Sequence, residues 1–228
     1  MYGPSIQLRL VAAVFMAALW SVVAKADVLT FYPTDDAYIR MKDPDNNYGA
    51  SPTLTVRNRY GHPSHPAYWE LDTLVKFDLS SIPPGTDIPF ATLHLYYFDY
   101  NDNNPRGRDL TCHRLLGDWD EDTVTFNAAP DYVAEATSLA VVPSQPGRWM
   151  EWDVTSDVQA FVNDSEVDNY GWEIRDDRPW NDFDIPLAKF RSKEFGGDSP
   201  YLTIVPEPAT LALLALGSMG LIRRPARR

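Results

Sequence analysis

Apolar and polar residues alternate in short stretches along most of the chain, and each stretch breaks at proline, glycine, asparagine or aspartate. Leu93-His94-Leu95-Tyr96 is one of them. Successive side chains of a strand point to opposite faces, so a period of two marks a strand with one buried face. The same reading predicts strands at 28–32, 37–41, 53–59, 71–79, 91–99, 109–115, 123–126, 149–154, 171–175, 186–192 and 201–205. The breaks carry turn chemistry, as in Asp43-Pro44-Asp45-Asn46-Asn47, Ile82-Pro83-Pro84-Gly85-Thr86 and Asn101-Asp102-Asn103-Asn104-Pro105. There proline presets φ, and Asn and Asp side chains bond their own backbone. One segment has the helical period instead. Ser156 is its N-cap, Gln159 three residues on completes a capping box, and Asp157 sits in the first turn. Val158, Phe161 and Val162 share one face, and Asn163-Asp164-Ser165 ends the helix. Eleven short strands and one short helix near 156–163 predict an all-β, jelly-roll-like β-sandwich.

The two ends follow another pattern. Arg9 precedes an apolar stretch at 10–23, and Ala24-Lys25-Ala26 has the small-x-small form that signal peptidase cuts after. Residues 1–26 read as a signal peptide, with a mature chain starting at Asp27. At the other end Val205-Pro206-Glu207-Pro208 leads into an apolar run of 12 residues, 211–222, followed by Arg223, Arg224, Arg227 and Arg228. Spanning a bilayer takes about 20 residues, and terminal arginines hold their end on the cytoplasmic side. The tail, 205–228, resembles a PEP-CTERM sorting motif. The resemblance implies export from a Gram-negative bacterium, a secreted or cell-surface location, processing by exosortase-type machinery, and only transient contact with the membrane. Residues 27–204 remain as one domain of 178 residues, enough for a single good core.

Without its ends the chain is strongly acidic. The first segment removes Arg9 and Lys25, and the tail removes four arginines and Glu207. That leaves 14 basic and 31 acidic residues, a net charge of −17. Such a field repels nucleic acid and anionic membrane surfaces, and neither is expected as a partner of this domain. It favours divalent cations. No cofactor is required by the sequence, and a structural calcium is compatible with it. Asp118-x-Asp120-x-Asp122 imitates the start of an EF-hand loop, but Thr123 and Ala129 stand where that loop needs glycine and a bidentate acid. Asp43-x-Asp45-x-Asn47 fails likewise at Tyr48 and Leu54, and both read as turns. His62 and His65 read as ordinary loop residues. Cys112 is the single cysteine, so no internal disulfide forms, and it reads as a small buried hydrophobe.

A series of landmarks runs in order through the domain: Asp36-Ala37-Tyr38-Ile39, Asn47-Tyr48-Gly49, Leu54-Thr55-Val56-Arg57-Asn58, Leu74-Val75-Lys76-Phe77-Asp78-Leu79, Ala91-Thr92-Leu93-His94-Leu95-Tyr96, Trp119-Asp120-Glu121-Asp122-Thr123-Val124-Thr125-Phe126-Asn127, Trp152-Asp153-Val154-Thr155-Ser156, Asn169-Tyr170-Gly171, Phe190-Arg191-Ser192-Lys193-Glu194 and Pro200-Tyr201-Leu202. Together they resemble a DNRLRE domain, carbohydrate-binding module family 96. The resemblance implies a β-sandwich that binds polysaccharide, with acidic polymers such as alginate as the characterised ligand class. Phe126 replaces the family's more usual Trp, and 60–71 is longer than usual. An inserted aromatic loop at a strand end is a candidate for setting specificity, so the family's ligand need not carry over to this chain.

Candidate binding residues follow from the chemistry of sugars. Arg57 and Arg59 share one strand face, and Lys189, Arg191 and Lys193 share another; together they form two basic stripes on an acidic body. The planar fork of arginine suits a uronate carboxylate. The alternative is that all five pair with surface carboxylates. Trp69 and Trp180, in polar loops, offer flat platforms for sugar rings, whereas Trp119, Trp149, Trp152 and Trp172 lie in or beside strands and read as core. No catalytic motif is present: no Gly-x-Ser-x-Gly, no His-Glu-x-x-His, no phosphate-binding loop. The chain reads as a secreted, non-enzymatic, polysaccharide-binding protein of an exopolysaccharide matrix or cell surface. A structural matrix or adhesion protein without a sugar pocket is one alternative. A small polysaccharide lyase, drawing on His94 or His113 with Tyr and Arg, is another.

Overall fold

The computed structural model describes residues 27–58, 70–178 and 186–207. Its strands are β1 (Leu29–Phe31), β2 (Pro33–Arg40), β3 (Thr53–Arg57), β4 (Leu71–Phe77), β5 (Phe90–Asp102), β6 (Asp109–Arg114), β7 (Ser138–Val141), β8 (Arg148–Asp153), β9 (Trp172–Arg175), β10 (Pro186–Arg191) and β11 (Tyr201–Val205), with helix α1 (Thr155–Asn163) between β8 and β9. The strands hydrogen-bond in the order β1-β11-β5-β10-β3-β4-β9-β6-β7, with β2 on the free edge of β4 and β8 on that of β5. Ladders between these strands are antiparallel. The sheet folds over on itself at β3–β4, where one residue pair, Arg57↔Leu71, joins the two leaves.

Alternation explains the interior. Leu54, Val56, Leu93, Leu95, Tyr97, Trp152 and Phe190 point in from one leaf, and Val75, Phe77, Leu110, Cys112, Trp172 and Ile174 from the other. Cys112 is a buried thiol, as its sequence setting implies. Each fully buried large apolar side chain contributes about 1.5–3 kcal/mol, and the buried indoles keep their polar edges satisfied. Trp152 Nε1 donates to the Leu110 carbonyl at 2.8 Å, and Trp172 Nε1 to Asp157 at 2.8 Å. A smaller cluster of Ala37, Ile39, Leu74, Leu115, Trp119 and Val124 lies outside the sandwich interior, covered by the connection from β6 to β7.

The structure departs from the sequence reading at three places. The stretch 123–126 is no strand: the amide of Val124 closes a turn onto Asp120 O, and a short 3-10 turn, Phe126–Ala128, follows. Val124 and Phe126 alternate because both pack on the smaller cluster. Strand β7 was not anticipated, because its pattern is inverted: Leu139 and Val141 are exposed and the small Ala140 is buried. Helix α1 begins without a side-chain cap. Instead of closing a capping box, Gln159 accepts from the amide of Ile88 at 2.7 Å, tying the helix to the chain ahead of β5. The apolar face is as expected. Val158 is buried and Phe161 and Val162 pack against the main core, with the Phe161 ring 5.4 Å from that of Trp172.

Candidate functional site

Strands β3 and β10 are far apart in sequence and adjacent in space. Lys189 pairs with Thr55 and Leu187 with Arg57. Paired residues share a face, so Arg57 and Lys189 emerge on the same side. Tyr38 and Arg40 from β2 and Asn101 from β5 complete a cleft of about 300 Å³ over the junction of the leaves, near the lower end of ligand-site volumes, about 300–1,000 Å³. Three cations line it. Lys189 Nζ lies 2.7 Å from Asn101 Oδ1 and 3.2 Å from Asp99 Oδ2, and Arg40 lies 3.3 Å from Asp43. Arg57 is 6% exposed, a guanidinium in the cleft wall rather than on open surface. The Tyr38 ring is stacked on Tyr48 with centroids 4.4 Å apart, and burial pushes its hydroxyl pKa up. The cleft therefore offers fixed cations for carboxylates and a braced aromatic ring for a sugar C–H face.

Arg191 is on the same face as Lys189 and outside the cleft. Its guanidinium lies over Phe195 at 4.1 Å and Tyr96 at 5.1 Å and is ion-paired with Asp198. An aromatic row continues from there. Tyr96 meets Trp149 edge-on at 5.1 Å, Trp149 meets Tyr201 at 4.8 Å, and Tyr201 stacks on His94 at 4.2 Å. Trp149 is thus not a core residue. Met150 and Trp152 take the inner face of β8, which turns Trp149 outward; its odd spacing from Trp152 was the available signal.

The expected three-residue stripe on β10 stops at two. The strand ends at Arg191, and Lys193 opens a 3-10 turn, Lys193–Phe195. Its ammonium lies 2.7 Å from Glu121 and 3.0 Å from Glu194. Arg59, Trp69 and Trp180 lie outside the described residues, as do His62 and His65. The residues next to those segments are tied together: Asn58 Nδ2 donates to the Arg178 carbonyl at 3.1 Å. The cleft residues Tyr38, Arg40 and Asn101 were not singled out from sequence, because nothing local says which strands lie beside β3.

Elsewhere, the acidic runs act as turns. Asp120 accepts from the amide of Asp122 at 2.9 Å, Asp118 from that of Trp119 at 2.9 Å, and Asp45 from Asn127 at 2.8 Å. A larger cleft of about 490 Å³ runs between the end of β4 and α1. Its cation, Lys76, is ion-paired with Asp35 and Asp118 at 3.4 and 3.3 Å. His113, Tyr132 and Arg175 gather on β6, the following connection and β9, with Tyr132 5.1 Å from the His113 ring and 4.5 Å from the Arg175 guanidinium. Arg175 is held by Glu70 at 2.8 Å, Asp177 at 3.1 Å, Asp72 at 3.5 Å and Glu173. Burial pushes the Asp72 and Glu173 carboxyls up.

Comparison with known proteins agrees with this architecture. The family model for carbohydrate-binding module family 96 matches residues 27–206. The PEP-CTERM protein-sorting motif matches residues 205–228. No curated protein matches the chain.

Proposed function

The chain belongs to carbohydrate-binding module family 96 and ends in an export-sorting motif, and from that premise we propose that it is a non-catalytic protein of the cell surface or exopolysaccharide matrix that takes an acidic, uronate-type polymer into the cleft beside β3 and β10. The observation that carries this reading is the meeting of Arg57, Lys189 and Arg40 around one concave surface with Tyr38 at its side. Charged hydrogen bonds to a carboxylate are short and strong. The acidic body works against long-range attraction of a polyanion, so affinity has to come from close contacts inside the cleft. Residues 1–26 are assigned as the export signal and 205–228 as the segment handled by exosortase-type machinery.

The test is binding of a soluble polyuronate and of a neutral glucan to the purified protein at low and high salt. The polyuronate binds, affinity falls as salt screens the contacts, and Lys189→Ala weakens it about tenfold or more. Salt-independent binding of the glucan, lost in Trp149→Ala, would move the site to the aromatic row. No binding to either polymer would leave a structural matrix or adhesion role.

One observation favours a second reading, a polysaccharide lyase: the grouping of His113, Tyr132 and Arg175. The four carboxylates around Arg175 oppose a uronate there. A polyuronate that gains unsaturated ends with the protein, and keeps its length with Tyr132→Phe, would establish cleavage.

A further inference from the structure

Three carboxylates from distant parts of the chain converge behind the end of β10. Asp36 comes from β2, Glu121 from the connection after β6, and Glu194 from the turn after β10, with one oxygen of each within 4.8 Å of the others. The Lys193 ammonium contacts Glu121 and Glu194. With all three carboxylates ionised, as around a bound cation, the one ammonium offsets a single charge; without a cation, burial pushes the Asp36 carboxyl pKa up to about 8. Asp36 is fully buried; its Oδ2 accepts from the amide of Lys193 at 2.8 Å, and its Oδ1 has no hydrogen-bond donor among the described residues. One Asp36 oxygen lies within 4.8 Å of one Glu194 oxygen. Like charges at that spacing repel, and a shared cation relieves the repulsion.

The backbone holds the three in place. The amide of Asp36 donates to Glu121 Oε2 at 3.2 Å. Asn47 Nδ2 donates to the Glu121 carbonyl and, at 2.8 Å, to that of Val124. Gly49 packs so closely on Glu121 that a side chain at 49 would collide with its carbonyl oxygen. Oxygen atoms with this spread suit calcium, which accepts irregular shells of about 6–8 oxygens at about 2.3–2.6 Å, water included.

We propose that Asp36, Glu121 and Glu194 form a calcium site that clamps β2, the β6–β7 connection and the end of β10 together. The bound ion takes the uncompensated charge, and the Lys193 side chain, at the rim, yields the shared oxygens. The clamp fixes the turn directly after Arg191 and so steadies the strand that presents Lys189. Extracellular calcium modules bind with Kd on the order of 10⁻⁴–10⁻³ M, which suits a protein sorted to the outside of the cell.

The test needs no sugar, so its outcome is independent of the cleft. The protein is stripped with EDTA and titrated with calcium while Tm is followed, and terbium emission excited through tryptophan is read in parallel. Calcium at tenfold saturation raises Tm by about 3–5 °C, and it displaces terbium. Glu194→Gln, at an exposed position, folds and loses both responses, as does Asp36→Asn. Lys193→Met removes the competing ammonium and lowers the Kd. Equal Tm in EDTA and calcium would overturn the site. So would a calcium response that survives both Glu194→Gln and Asp36→Asn, or one that weakens in Lys193→Met.

Discussion

Lys189 Nζ lies 3.2 Å from Asp99 Oδ2, and the two residues are partners across the β5–β10 ladder. The cation in the cleft wall is thus already shared with a carboxylate of the protein. A polyuronate has to compete with Asp99 for it. Partly exposed pairs of this kind contribute about 0.2–1 kcal/mol, so Asp99→Asn should raise polyuronate affinity about two- to fivefold in calorimetry and leave Tm nearly unchanged. A loss of affinity would mean that Asp99 positions Lys189 rather than competing for it.

Gly171 carries a φ of 79° and packs against Val75, where an added Cβ would fall inside the carbonyl oxygen's radius. Its carbonyl also accepts from the amide of Leu115 at 3.0 Å. Neither the backbone conformation nor the space admits a side chain. Gly171→Ala is expected to cost about 3 kcal/mol or more, read as a lower urea midpoint or as loss of soluble protein.

Phe161 is half-buried, with its ring against Trp172. Full burial of a Phe makes its truncation cost about 3–5 kcal/mol. Phe161→Ala should therefore cost about 1.5–3 kcal/mol in chemical denaturation. A value under about 0.5 kcal/mol is what a surface position gives, and it would show that α1 does not pack on this core.

The pair His113 and Asp177 sets a pH dependence. His113 Nε2 lies 3.1 Å from Asp177 and Nδ1 lies 2.8 Å from the Val133 carbonyl. Burial disfavours the imidazole proton, but the bonds to Asp177 and Val133 outweigh it and hold the pKa above its ordinary value of 6.5. The hydrogen bond from His113 holds Asp177 far below its ordinary 3.8. A raised histidine contributes fully below its unfolded pKa and loses that contribution as pH rises through the folded one. A depressed aspartate contributes above its unfolded pKa and loses that as pH falls through the folded one. Both contributions are complete between roughly pH 4 and 6.5. Tm should be higher at pH 6 than at pH 8.5, and His113→Gln should reduce that difference. An unchanged difference in the variant would assign the effect to other groups.

The ends are tested by intact mass of the protein recovered from outside its host. The mature chain is expected to start at Asp27 and to stop near Pro206. Recovery with 211–228 attached would replace sorting and release by retention in the membrane.

Much of the fold is legible in the residues themselves, because alternation is a local property. Leu93 and Leu95 on one side and His94 and Tyr96 on the other say that β5 is a strand with one buried face, whatever lies beside it. The apolar face of α1 and the proline-acid motif before the last apolar run are local in the same way. Where alternation misled, another contact had imposed it: Val124 and Phe126 face the smaller cluster, and β7 turns Leu139 outward. The binding surface and the acid cluster are different in kind. That Arg57 and Lys189 share a cleft, that Lys193 turns to Glu121, and that Asp36 meets Glu194 all depend on which strands become neighbours and in what register. Sheet order and register are chosen by burying all the apolar faces at once, and a shift of one residue would reverse every side chain. The stretch of chain around each of these residues carries its charge and its face, and only the closed sandwich supplies its partner.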